Sequence, residues 1–136
     1  MIALTDEMRE ALDRALPEST PCMIATASGD GRPDIAFKGS MIVFDPEHLA
    51  YWERSKGQTL RNVEENPNVC VLYRSRERGT WKFVGEATIH REGELRERVK
   101  ARTPEAELNR DPGHAGYAVL VKVNLVISRG QVLQQR

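Results

Sequence analysis

The chain has two cysteines in 136 residues, no net charge and no long apolar run. Each shortage excludes a class of protein. Twenty basic residues balance twenty acidic ones, so the net or clustered positive charge that holds nucleic acid is missing. No stretch is apolar enough to form a bilayer-spanning helix, and no membrane partner is expected. The first residues, Met1, Ile2, Ala3, Leu4, Thr5, Asp6 and Glu7, lack the basic region and apolar core of a signal peptide, so a cytoplasmic location is expected. Cys22 and Cys70 stand in separate apolar stretches and are expected as buried, reduced thiols. His48, His90 and His114 are scattered, with none of the spacings of a zinc site, and no metal is assigned.

What remains fits one domain over residues 1–136. A core of this size is marginal, which favours a homodimer. Thr5 caps a helix with Asp6 and Glu7 in its first turn. Met8, Leu12, Ala15 and Leu16 share one face of that helix, and Pro17 stops it. The period then changes to that of strands. Strand-like runs cover residues 20–27, 34–44, 49–53, 68–74, 80–90 and 117–128, and Val132 and Leu133 add a short last one. Turns by composition lie between them, at Ser28, Gly29, Asp30 and Gly31, at Asp45, Pro46 and Glu47, and at Arg76 to Gly79. Residues 94–102 read as a helix with Leu95 and Val99 inward, and Thr103 and Pro104 start another. Six antiparallel strands with few helices predict a mainly β fold, a barrel or a sandwich.

One stretch carries candidate chemistry. Lys38, Gly39 and Ser40 fall within the second strand run, where Lys38 and Ser40 would project to the same side and Gly39 would allow close approach. Tyr51 and Trp52 end the next strand, where aromatic rings either stack on a ligand or pack the core. Ser55 with Gln58 fits a capping box that would start a helix ending at Asn66 and Pro67. Such a helix start suits a phosphate, with Lys56 adding charge and Thr59 a hydroxyl. No general base stands out, which fits cofactor-centred chemistry better than hydrolysis.

These motifs, in order, resemble a known family. Gly29, Asp30, Gly31, Arg32 and Pro33 link two strands. Tyr51, Ser55, Lys56 and Thr59 follow, then Asn66, Pro67, Asn68 and Val69, then Lys82, Phe83, Val84, Gly85, Glu86 and Ala87. Over residues 5–130 the chain resembles the pyridoxamine 5′-phosphate oxidase-like, flavin-binding split β-barrel proteins. The resemblance implies a six-stranded antiparallel Greek-key split barrel that forms a homodimer with two FMN molecules at the interface. It places Lys38, Gly39, Ser40 and Met41 against ring and phosphate, and Tyr51 and Trp52 along the flavin. Arg54, Ser55, Lys56 and Thr59 would bind phosphate, and Trp81 and Lys82 would reach in from the partner subunit. The implied activity is that of an FMN-dependent oxidoreductase on an unknown small molecule. The carboxy-terminal Arg-containing motif of the true oxidase is missing and the phosphate loop is less basic, which argues against pyridoxamine phosphate as substrate. Relatives that use a deazaflavin or bind haem share the fold, so a deazaflavin-dependent reductase or a non-catalytic flavin carrier are the alternatives.

Overall fold

The computed structural model describes all residues 1–136. Thr5 caps α1 (Asp6–Asp13), its hydroxyl accepting the Met8 amide at 3.2 Å, and Met8, Ala11 and Leu12 are buried. The strands are β1 (Cys22–Ala27), β2 (Pro33–Lys38), β3 (Ile42–Asp45), β4 (His48–Glu53), β5 (Asn68–Ser75), β6 (Gly79–His90), β7 (Tyr117–Ser128) and β8 (Gln131–Gln135). α2 (Gln58–Glu65) connects β4 to β5, and α3 (Glu94–Arg102) and α4 (Glu105–Leu108) lie between β6 and β7. All pairings are antiparallel, in the order β2-β1-β5-β6-β7-β4-β3, with β8 beside β7. This is a mainly β split barrel. No helix is long and apolar enough to cross a membrane.

The eight strands refine the expected six at two places. The run over residues 34–44 is not one strand. A turn, with the Met41 amide donating to the Lys38 carbonyl at 3.3 Å, divides it into β2 and β3. The short final run becomes β8, which hairpins onto β7 through Arg129 and Gly130, both at positive φ.

Two apolar clusters fill the molecule. The larger runs through the barrel and includes Ile24, Val71, Phe83 and Val126, which follow one another across the sheet. The smaller lies under α3 and α4, where Ile42, Phe44, Ala50 and Trp52 meet Val99, Ala118 and Leu120. β3 and β4 separate the two, so Val43, Leu49 and Tyr51 face one cluster while their neighbours face the other. That double burial explains their unbroken apolar character. Arg102 donates to the carbonyls of Val43 and Phe44 at 2.8 and 2.6 Å, closing an edge that strand pairing leaves open.

The outer face of the sheet is also apolar. Phe37, Met23, Leu72, Lys82, Ile127 and Val132 form one row across it; Ile35, Ala25, Cys70, Val84 and Leu125 form the next. Ile35 and Phe37 are 63% and 67% exposed. Cys22 is buried as expected, and its thiol is pushed up to about 12 by that burial. Cys70 corrects the expectation for its thiol: it is only partly buried, because it belongs to the outer row.

Candidate functional site

The ends of β2 and β4 come together through charge. The Lys38 ammonium lies 3.1 Å from Glu53 Oε1, and their side chains are 10% and 0% exposed. The second oxygen, Oε2, accepts from the Ser55 hydroxyl at 3.2 Å and the Lys56 amide at 3.1 Å. One buried carboxylate therefore joins β2 to the loop that follows β4. The Lys38 ammonium also lies 5.4 Å from the centre of the Tyr51 ring. Tyr51 is wholly buried in the barrel, and its hydroxyl has no partner. Burial, then the Glu53 charge, pushes its ionisation above the ordinary phenol range.

Gly39 and Ser40 form the turn after β2. A Cβ on Gly39 would collide with the Glu107 carboxylate and come within 3.1 Å of Leu16. The close approach expected at this glycine is made by α4. Ser40 is buried; its hydroxyl accepts the Trp52 amide at 2.9 Å and donates to the Trp52 carbonyl at 3.3 Å. It thus extends the pairing of β3 with β4 through a side chain. Met41 is buried in the larger cluster. Trp52 is packed in the smaller one, its indole N–H donating to Asp111 Oδ2 at 2.9 Å and the Arg96 guanidinium 4.9 Å from its ring. Burial pushes the Asp111 carboxyl up, but hydrogen bonds from Trp52, Gly116 and Ala115 outweigh it and hold the group below the usual carboxylate range.

Lys38, Gly39, Ser40, Trp52, Arg54 and Ser55 line one cavity with Phe37 and Glu107. Its volume is about 70 Å³, far below the roughly 300–1,000 Å³ of small-molecule sites. Within one chain this hollow is too small to enclose a flavin ring.

The start of α2 is different. The capping box expected from Ser55 and Gln58 does not form: the helix begins at Gly57 with no side-chain cap. Ser55 is held by Glu53, while the Gln58 side chain donates to Asn62 at 2.8 Å and accepts from Arg61 at 3.1 Å. The first amides of the helix are therefore left to solvent or a ligand. Lys56 stands beside them at a φ of 53°, its ammonium 4.2 Å from the Tyr117 ring centre rather than on a carboxylate. The Arg91 guanidinium shares that ring at 5.1 Å and pairs with Glu64 at 2.5 Å. Thr59 is buried in the first turn. A helix start with uncapped amides suits an anionic group such as a phosphate, and Lys56 and Thr59 flank it in the chain.

Trp81 and Lys82 lie elsewhere. Trp81 is buried and stacks on Tyr73 at 5.6 Å between ring centres, facing inward. Lys82 faces out on the apolar row. The sequence alone does not single out Glu53, Glu107, Asp111, Tyr117 or Arg91. Only Glu53, placed at a strand end before a glycine-containing basic loop, carries a local signal.

The profile of the pyridoxamine 5′-phosphate oxidase family matches residues 4–124, and the chain belongs to that family. An uncharacterized protein of Methanocaldococcus jannaschii is 30% identical over 96 residues, which are 69% of this chain and 61% of that protein. The chain thus spans about three fifths of the relative's length. Among solved structures, HupZ of Group A Streptococcus is similar with a TM-score of 0.75 and 27% identity, over 95% of this chain and 96% of that one. An FMN-binding protein from Syntrophomonas wolfei shares the fold with a TM-score of 0.68 and 16% identity, over 91% and 89% of the two chains.

Proposed function

We propose that the protein is a homodimeric FMN-dependent oxidoreductase acting on a small molecule. The observation that carries this reading is the uncapped start of α2 beside Lys56, in a chain of this family. The amides of Gln58, Thr59 and Leu60, the Lys56 ammonium and the Thr59 hydroxyl would hold the FMN phosphate. Each charge-assisted contact contributes about 1.5–3 kcal/mol. When bound, FMN supplies hydride and electron transfer at its ring. The chain's own residues anchor and orient it.

The outer apolar rows support the dimer. Monomeric proteins rarely leave so continuous an apolar face to water, and Ile35 and Phe37 are its most exposed members. A second copy packed there would bring its Lys82 to the interface. Lys38 and Ser40 act in this reading through the fold, because their polar groups already have protein partners.

The test is the absorption spectrum of protein purified without added cofactor, the mass of the released ligand, and the sedimentation of the holoprotein. A two-banded flavin spectrum, FMN's mass and sedimentation at about twice the 15.4 kDa of one chain are expected. A single-banded deazaflavin spectrum or a haem Soret band would replace the cofactor. A colourless protein that takes up no added FMN would overturn the reading.

A further inference from the structure

We propose that Glu53 is the positioning residue of the anion cradle, acting through the Lys56 amide and the Ser55 hydroxyl. This rests on the cradle assigned above and names what shapes it. Lys56 has a φ of 53°, in the left-handed region that costs an L residue energy unless its surroundings hold it there. Glu53 Oε2 supplies the hold, taking the Lys56 amide at 3.1 Å and the Ser55 hydroxyl at 3.2 Å. Ser55, the cap that the sequence offers for α2, lies two residues before the N-cap Gly57. With its hydroxyl bound to Glu53, the helix starts at Gly57 without a side-chain cap.

Glu53 can do this only because it is neutralised. Its side chain is wholly buried, and a buried charge without a partner is costly. Lys38, 3.1 Å away on Oε1, supplies the opposite charge and fixes its rotamer. The two oxygens divide the work: one faces the counter-charge on β2, the other shapes the loop. Lys38 thereby acts on the loop through Glu53.

The test uses paired variants, because removing one charge alone strands the other. Lys38→Met with Glu53→Met replaces the ion pair by apolar side chains, an exchange proteins often tolerate. Lys38→Met with Glu53→Gln also removes both charges but keeps an acceptor oxygen for the loop. Melting temperature, amide hydrogen exchange and binding of FMN and inorganic phosphate are measured, the last by shifts of the Gln58, Thr59 and Leu60 amide resonances. The Met/Met variant is expected to melt within about 5 °C of the parent, to lose protection at the Lys56 amide, and to bind both anions about tenfold more weakly. The Met/Gln variant is expected to recover most of that affinity. Parental affinity in a stably folded Met/Met protein would overturn the proposal, as would equal losses in both paired variants. If the parent binds phosphate at these amides but not FMN, the flavin reading fails while the phosphate data still support or overturn the role of Glu53. If neither anion moves the amides, both fail.

Discussion

Two short stretches of this chain have similar ingredients and different fates. Residues 38–40 carry a lysine, a glycine and a serine; residues 55–59 carry a serine, a lysine, a glycine and a threonine. In the first, the lysine meets a buried carboxylate, the glycine accommodates Glu107 and the serine bridges to the Trp52 backbone. In the second, the serine is occupied but the lysine meets only an aromatic ring, and the helix amides are uncapped. The difference is one of place. The first stretch is a turn between two strands, roofed by α4. The second is the exit from a strand into a helix, where the backbone itself leaves donors unused. A basic residue is available to a ligand only where the fold has not already set an acid against it.

The largest test of this contrast is Lys38→Met. It leaves Glu53 buried without its counter-charge and should cost about 3–5 kcal/mol in chemical denaturation. A loss below about 1 kcal/mol would mean that the first stretch is as open as the second. Next comes the segment that covers it. Asp111 holds Trp52 and the Ala115 and Gly116 amides, and Asp111→Asn should cost about 1–3 kcal/mol at neutral pH. Because the folded carboxyl titrates below its ordinary value of 3.8, its contribution is present above that value and fades as pH falls through the lower folded one. The variant should therefore show a flatter acid limb, read from Trp fluorescence. The smallest effect on stability belongs to Lys56→Ala. Folding free energy should change by no more than about 0.5 kcal/mol, while FMN affinity falls about tenfold. Destabilisation comparable to Lys38→Met would erase the contrast.

Local rules sufficed where they faced no rival. Thr5 caps α1, residues 94–102 are a helix with Val99 inward, and residues 117–128 are one strand. Where two local solutions competed, distance in sequence decided. Ser55 and Gln58 match a capping box, but Ser55 binds a carboxylate placed by Lys38, 15 residues before Glu53. Trp52 ends β4 with no local sign of its partner: Asp111, 59 residues later, takes its indole N–H. The run over residues 34–44 reads as one strand because apolar residues recur through it. It breaks at a turn through Gly39, and the Glu107 side chain packed against that glycine is a contact no local pattern announces. β2 even points its two largest apolar residues outward, Ile35 and Phe37 alternating with Asp34, Ala36 and Lys38. Such alternation identifies a half-buried strand without saying which half is wet.

The pairing of Lys38 with Glu53 also limits how this sequence can change by descent. A lineage that loses one partner first must pass through a chain with an uncompensated buried charge, while one that loses both at once escapes most of that cost. The two positions are therefore expected to be inherited together or replaced together. A relative holding an apolar residue at one of them should hold an uncharged residue at the other.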